Sequence, residues 1–422
     1  MKRSNLNVLV VGEGGREHAL VWKMRASPRV SKVYAAPGNP GIERLAECVP
    51  ISVNDVHQLA RFVIEKNVDL AVIGPEAPLA LGISDEFMRL GIPVFGPTKA
   101  AASIETSKVW AKQFMTRHGI PTADYSIFGD VDAAKHYVQV HGCPVVVKAD
   151  GLASGKGVVV AHTPEEAERA VDTVSHLAAG AEIIIEDCLF GSEASYLVIT
   201  DGKTALPLIT AKDHKRAKDG DKGPNTGGMG AVVPAPGLDP SLESRIMEDI
   251  IMPAINGLSA EGRRYVGVLY AGLMLTPQGP TALEFNARFG DPETQAILPM
   301  MESDLIDVLE AAVTGMCSSM TLKWREGACV CVVAASSGYP EKPQLGTEIF
   351  IDEDQAAKAG VLIFHAGTRR DDGDLVTRGG RVLNVVGVGD SVEEAASHAY
   401  GGLSHVHFEG MWARHDIGRP GA

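Results

Sequence analysis

The sequence predicts an α/β protein in three parts: an N-terminal parallel-sheet (Rossmann-like) domain, a larger α+β body and a small C-terminal α+β domain. Three observations predict it. Over the first hundred residues short apolar runs alternate with helical patterns, the βαβ order of a parallel sheet. Residues 123–186 read as a compact α+β segment, and two hairpin patterns follow it. After Trp324 a new apolar run, residues 328–335, opens a third module that ends in a helix capped by Ser391 and Glu394.

In the first part, residues 8–11, 33–36, 70–73 and 94–95 read as strands, and residues 17–24, 56–66 and 83–90 as the helices between them. Turn signals stand at the strand carboxyl ends, where a parallel sheet places its function: Gly12 to Gly15, Ala36-Pro37-Gly38-Asn39 and Gly74-Pro75-Glu76. Residues 107–118 turn helical, and Gly119-Ile120-Pro121 marks a hinge. Beyond it, strands are expected at 123–127, 144–148, 158–161 and 182–186. Thr163, Pro164 and Glu166 mark one helix start as N-cap, first position and capping-box acid. A hairpin over 196–208 turns at Asp201-Gly202, a polar loop runs from 212 to 230, a long helix covers 241–258, and residues 266–275 pair with 281–286.

The chain has 422 residues, enough for two to four domains with a sizeable core. A hydrophobic content of 45% with mean hydropathy of +0.04 describes an ordinary globular protein. The net charge of −14 argues against general binding to nucleic acid or anionic membranes, so an anionic ligand has to meet a local basic pocket. The six cysteines lack C-x₂-C spacing; Cys329 and Cys331 alternate along an apolar run, which predicts buried free thiols and a reducing compartment. No apolar run has the length of a membrane span, the N-terminus makes a poor secretory signal, and the cytoplasm is the expected location.

The most informative stretch is Glu284-Phe285-Asn286-Ala287-Arg288-Phe289-Gly290-Asp291. A carboxylate and an amide oxygen at i and i+2 of a strand point to one face, and a cation and a second acid follow. Hard oxygen ligands beside a cation suit a magnesium-bound polyphosphate. Upstream, Lys148 ends an apolar strand, and a loop with glycines at 151, 155 and 157 and Lys156 follows it. The glycine spacing excludes a P-loop and leaves a loop between two strands that can close its N–H groups over phosphates. Near the start, Gly14-Gly15-Arg16-Glu17-His18 joins a strand to a helix; it is either a tight structural turn or a phosphate site at a helix N-terminus. Glu17 occupies the place of the third glycine of a dinucleotide fingerprint, and Arg16 with His18 favours a phosphate monoester. Glu186-Asp187-Cys188-Leu189, with Glu193 beyond, ends a strand in acids that either pair with an adenine amino group and ribose hydroxyls or are solvated. Asp213-His214-Lys215-Arg216 and the glycine-rich run from Gly223 through Thr226-Gly227-Gly228 share one long polar loop, a ligand loop or a solvated face. No nucleophile elbow or cysteine nucleophile context is present.

Together these motifs resemble the ATP-grasp superfamily and, within it, the glycinamide ribonucleotide synthetase family. The likeness runs the whole chain, from Gly14-Gly15-Arg16-Glu17-His18 and Gly74-Pro75-Glu76-Ala77-Pro78 to His365-Ala366-Gly367-Thr368. Two departures stand out: Ser154 replaces a usual alanine, and Phe190-Gly191-Ser192-Glu193 carries fewer acids than usual. The resemblance implies an N-terminal substrate domain over 1–105, an ATP-grasp domain over 106–328 with a lid at about 122–190, and a C-terminal domain over 329–422. It implies that ATP is a co-substrate, bound by Lys108, Lys148, Gly151, Gly155, Lys156 and Gly157, with Glu186 and the Leu189 backbone at the adenine and Glu193 at the ribose. It implies Mg²⁺ (or Mn²⁺) on Glu284 and Asn286. Gly14, Gly15, Arg16, His18, Gly74, Glu76, Thr226, Gly227 and Gly228 would bind substrate, and Arg288, Asp213 and Asp291 would serve catalysis and glycine. The implied partners are ATP, glycine and 5-phosphoribosylamine, with no nucleic acid and no membrane, on a monomer or weak oligomer. Other readings are a sister ATP-grasp ligase, which would lack the Arg16/His18 pocket, a nicotinamide-dependent dehydrogenase and a non-catalytic nucleotide-binding regulator.

Overall fold

The computed structural model describes residues 4–152, 157–177 and 181–419. Its N-terminal sheet has five parallel strands in the order Glu47–Cys48, Val30–Pro37, Leu6–Gly12, Leu70–Ile73, Val94–Phe95. The first strand lies in the middle, so the winding reverses between it and Leu70–Ile73, and a crevice opens at their carboxyl ends. Helices Gly15–Arg25, Val56–Glu65 and Ile83–Arg89 fall where the periodicity places them. The short strand Glu47–Cys48 and the six-residue helix Glu76–Leu81 are too brief to leave a periodic signal.

The helical stretch at 107–118 belongs to a pair, Lys99–Thr106 and Lys108–Arg117. Ser107 breaks them in an extended conformation (φ −134°, ψ 111°), and its Oγ accepts from the Trp110 N–H as an N-cap. Beyond the hinge, the lid is a four-stranded antiparallel sheet in the order Tyr125–Phe128, Ile183–Asp187, Val145–Ala149, Val158–Ala161. Alternation decides its two faces. Val145, Val147, Ala149, Ile183, Ile185 and Ala161 pack with the apolar stripes of helices Val131–His141 and Pro164–Leu177 into a separate small core. At the start of the second helix Thr163 accepts from the Glu166 N–H at 3.2 Å, while the Glu166 carboxylate reaches one residue past the cap to the His162 N–H at 2.8 Å.

The body carries a four-stranded antiparallel sheet in the order Ala205–Pro207, Ser192–Thr200, Gly267–Thr276, Gly279–Asn286. Gly272 pairs with Glu284 and Leu273 with Ala282, so Leu283 is an extra residue, a bulge beside the acid. The long helix expected at 241–258 runs as Pro240–Ile246, a π-turn Met247–Ile251 and Met252–Ala260. Pro253 has no N–H to offer the preceding turn, and the wider π-turn absorbs it.

The third sheet orders Lys212–Asp213, Gly230–Val233, Ala328–Ala335, Arg381–Gly389 and Leu362–His365. The flanks of the expected loop at 212–230 therefore supply two of its strands, and this sheet runs across the boundary expected at residue 328. The loop itself is a hairpin, Arg216–Lys218 against Lys222–Asn225. Ala217 is the one buried residue of its strands, so the pattern is too short and too polar to mark a strand pair. Cys329 and Cys331 are buried free thiols, as the pattern predicts. Among the described residues no helix is long and apolar enough to cross a membrane.

Candidate active site

A cleft of about 600 Å³ separates the lid sheet from the body sheet. Period-2 geometry supplies both walls. On the lid, Val146 pairs with Glu186 and Val160, and Lys148 with Val158, which puts these five side chains on the face opposite the lid core. On the body, Glu193 pairs with Met274, Tyr270 with Asn286 and Gly272 with Glu284, so all these residues share the cleft face. Leu152, Cys188 and Leu189 complete an apolar slot along the lid edge. Apolar faces with convergent polar groups at one end are the usual build of a small-molecule site.

That polar end gathers cations. Lys108 Nζ donates to the Gly151 carbonyl at 2.8 Å, and Lys148 Nζ to the Leu283 carbonyl at 3.3 Å. Lys215 stands 3.9 Å from Glu284 Oε1 and 3.7 Å from Glu193 Oε2. Burial works against the Glu284 charge, but Lys215, Lys148, Lys108 and Arg288 outweigh it and hold the carboxyl below its ordinary range. Burial likewise opposes the Lys215 charge, and Glu193 and Glu284 overcome it and keep the ammonium protonated. Glu186 is buried between Lys112 and Lys148, each 2.8 Å from one of its oxygens. Lys112 also donates to Thr122 Oγ1 at 2.8 Å. The Glu186 carboxylate expected at an adenine edge is thus engaged by two lysines, because it sits on the same sheet face as Lys148.

The other end is built from the N-terminal sheet and the third module. Arg288 is fixed between two acids, Glu76 at 3.1 Å and Glu105 at 3.1 Å, and its Nη2 donates to Asn286 Oδ1 at 3.3 Å. Arg381 Nη1 donates to the carbonyls of Gly227 at 2.6 Å and Asp291 at 2.8 Å and pairs with the Asp291 carboxylate at 3.2 Å. Asp213 lines the same space; its buried Oδ1 has no hydrogen-bond partner among the described residues. Burial, then the neighbouring charge of Glu293, pushes its carboxyl well above the ordinary range. Glu293 accepts from Ser195 Oγ at 3.2 Å, and that hydroxyl also contacts the Tyr270 OH at 2.8 Å.

The structure brings together on this cleft Arg16, Glu76, Lys108, Lys148, Gly157, Glu186, Leu189, Glu193, Asp213, Thr226, Gly227, Glu284, Asn286, Arg288 and Asp291. Gly155 and Lys156 lie outside the described residues. His18 is not on the cleft wall: its Nδ1 accepts from the His365 N–H at 2.8 Å and its ring meets the Phe364 edge. The glycine turn also departs from expectation. The Gly14 N–H donates to the Glu17 carboxylate at 2.7 Å rather than facing an open anion site. A Cβ at Gly12, Gly14 or Gly74 would collide with the Glu17 side chain, and one at Gly15 with Asn384 and Gln295. Gly12, Gly14 and Gly74 make room for Glu17, which in turn pairs with Arg16 Nε at 2.5 Å. Gly228 (φ +105°) lets the backbone pass against Asp213 and Pro292. Sequence reasoning missed Lys112, Glu105, Glu293, Tyr339 and Arg381. Of these, Lys112 carried a usable signal, four residues after Lys108 on one helix face.

A small antiparallel lid closing over an antiparallel body sheet, with lysines above and a carboxylate–amide pair below, defines an ATP-grasp protein. Family models of phosphoribosylglycinamide synthetase match nearly the whole chain: its N domain at 6–105, its ATP-grasp (A) domain at 106–294 and its C domain at 329–420. The chain is 49% identical over 416 residues to a phosphoribosylamine–glycine ligase of Mesorhizobium japonicum, covering 98% of each. It is 47% identical over 420 residues to that of Vibrio vulnificus, again covering 98% of each. The crystal structure of phosphoribosylamine–glycine ligase from Thermotoga maritima is similar at 35% identity and a TM-score of 0.85, over 97% of this chain and 100% of that one. The chain belongs to the phosphoribosylglycinamide synthetase family.

Proposed function

We propose that the cleft binds ATP with a divalent cation and joins glycine to 5-phosphoribosylamine, giving glycinamide ribonucleotide, ADP and phosphate. The observation that carries this reading is the strand Gly279–Asn286, which sets Glu284 and Asn286 on the cleft floor facing Lys108, Lys148 and Lys215. Among the described residues no cluster of three or more His, Cys, Asp or Glu could hold a metal by itself. Two hard oxygen donors at a polyphosphate site fit Mg²⁺ or Mn²⁺, which complete their shells with phosphate oxygens and water. Bound on Glu284 and Asn286, the cation would neutralise the transferring phosphoryl group.

The protein's own part is positioning and charge. The apolar slot of Val146, Val158, Val160 and Leu189 takes the adenine, with the backbone at 187–189 along its edge, and Glu193 lies by the ribose. Lys108 and Lys148 hold phosphate oxygens, and Gly157 lines the cleft beside them. A glycine carboxylate oxygen attacks the γ-phosphorus, forming glycyl phosphate and releasing ADP. The amine of phosphoribosylamine then attacks the acyl carbon, expels phosphate and loses a proton. Asp213, whose Oδ1 has no hydrogen-bond partner among the described residues, and Asp291 line the space for the glycine ammonium and the attacking amine, and an incoming cation would bring the Asp213 carboxyl back toward its ordinary range. Arg288 holds Asn286 and Glu76 in place, and Arg16 with Thr226, Gly227 and Gly228 meets the phosphorylated sugar.

The reaction predicts its own test. Since the glycine oxygen that attacks phosphorus stays on it, glycine labelled with ¹⁸O in its carboxylate should deliver one labelled oxygen to inorganic phosphate. ADP release should require glycine and phosphoribosylamine generated in situ. Unlabelled phosphate, or equal ADP release with other amino acids, would overturn the assignment.

A further inference from the structure

Arg414 lies outside the cleft, yet it is a charged side chain with no exposed surface. Its Nε and Nη2 donate to the two oxygens of Asp416 at 2.9 and 2.8 Å. Its Nη1 donates to the Arg216 carbonyl at 3.0 Å and to Asp221 Oδ1 at 2.8 Å. Two backbone contacts run in parallel: the Gly220 N–H donates to Asp416 Oδ2, and the His415 N–H to Asp219 Oδ1, both at 2.8 Å. All three residues of the turn at 219–221 are therefore held from 414–416. The segment is itself tied down, because the Tyr400 OH donates to the Arg414 carbonyl at 3.1 Å and accepts from the Ile417 N–H at 2.9 Å.

The turn so held is the tip of the hairpin Arg216–Lys218 and Lys222–Asn225. Over residues 216–225 that hairpin buries only Ala217. Lys222–Asn225 is exposed throughout, and Asp221 sits at φ +51°, a conformation unfavourable for a side-chain-bearing residue. An isolated two-stranded hairpin is marginal in water. The residues flanking its base, Lys215, Asn225, Thr226 and Gly227, nevertheless line the cleft wall next to Asp213, which the third sheet holds. None of these residues lies at the apolar slot of Val146, Val158 and Val160.

We propose that Arg414 is a positioning residue for the ligation: by clamping the hairpin tip it sets the position of the cleft residues at the hairpin base, and so the sites of the acid and amine substrates. This rests on the reading of the cleft given above. Arg414→Met should raise the KM for glycine and for phosphoribosylamine about tenfold, on the order of one charge-assisted hydrogen bond, and raise the KM for ATP far less, because Lys215 alone of these residues stands beside Glu284 and Glu193. Arg414→Lys keeps the charge but not the two-edged fork, and should fall between. Trypsin should cut after Lys218 and Lys222 faster in Arg414→Met than in the wild type.

Asp416→Asn and Asp221→Asn each weaken one arm of the clamp and give the same readouts if Arg414→Met does not fold. A lowered melting temperature with all Michaelis constants unchanged per folded enzyme would make Arg414 merely structural and overturn the proposal. So would an equal rise in the KM for ATP. Wild-type protein that coupled ADP release to a different acid and amine would overturn the reading of the cleft instead. The split between ATP and those substrates would then remain the measure of Arg414.

Discussion

Lys148 and Glu186 stand 2.8 Å apart on neighbouring strands of the lid, on the face turned toward the cleft. The pair is close without the alignment of a hydrogen bond, since Glu186 Oε1 lacks a hydrogen-bond partner among the described residues. Lys148 is therefore held by the Glu186 charge and one long hydrogen bond, 3.3 Å to the Leu283 carbonyl, and can turn to an incoming phosphate. Lys112 stays with the other Glu186 oxygen and keeps that carboxylate compensated. The arrangement links nucleotide binding to the joint between lid and body, because Thr122, which accepts from Lys112, donates to the Ala282 carbonyl at 2.8 Å.

Lys112→Met should consequently destabilise the protein. Lys112 and Glu186 are both almost fully buried, with 2% of each side chain exposed. Removing one partner of a buried pair leaves an uncompensated charge, at a cost of roughly 3 kcal/mol. Urea denaturation checks the figure, and the double variant Lys112→Met with Glu186→Gln should recover part of the loss. A stability equal to wild type would mean that Lys148 alone compensates Glu186.

Glu284→Gln tests the metal pair. The amide keeps the shape of the side chain but not the charge that four cations stabilise. Loss of one such contact typically costs about 10²–10³ in rate. Circular dichroism should not change. Near-normal turnover at low Mg²⁺ would sink the role of Glu284 as a metal ligand.

Much of this site was legible in the sequence, and the part that was not has a common cause. Glu284 and Asn286 announce themselves because strand alternation needs only two positions, and the same rule carries Val146, Lys148 and Glu186 to one face. Arg381 left no trace, since two of its partners are the backbone carbonyls of Gly227 and Asp291, which any sequence supplies, and the third, the Asp291 carboxylate, is distant in the chain. His18 reads as a phosphate ligand because it stands beside an arginine and glycines. Only the three-dimensional approach of the strand Leu362–His365 shows its Nδ1 already engaged. The hairpin at 216–225 read as a loop because it buries only Ala217, and its tip is held by the distant Arg414.

Arg16→Ala separates the two ends of the cleft. Arg16 is oriented by Glu17 at Nε and by the Phe289 carbonyl at Nη1, 3.1 Å away. If the rest of the guanidinium meets the phosphate of phosphoribosylamine, its loss removes a charged hydrogen bond of roughly 1.5–3 kcal/mol. The KM for that substrate should rise tenfold to a hundredfold, on the order of that energy, and the KM for ATP should stay. An equal loss for ATP would place Arg16 at the nucleotide.

His214 contributes an acid-side loss of stability that a single substitution can remove. It follows the cleft residue Asp213 in the chain but is absent from the cleft wall, and neither ring nitrogen has a hydrogen-bond partner among the described residues. Burial, then Arg414 and Lys212, lowers it from the ordinary value of 6.5 to about 4. The sign follows from which state binds the proton first. As pH falls below 6.5 the unfolded chain protonates at this position while the folded protein does not, so stability declines until the folded group titrates near 4. Within that window one such group contributes a slope of about 1.4 kcal/mol per pH unit. His365, lowered to about 3 by burial and by Arg44 and Arg370, adds a similar slope over the same range. His214→Leu conserves volume approximately and breaks no hydrogen bond seen among the described residues. It should leave stability at pH 7 nearly unchanged and flatten the decline between pH 6.5 and 4 by that one-proton slope. Urea unfolding at half-unit pH steps measures both quantities, and a variant with the wild-type slope would show that His214 is not the buried neutral group.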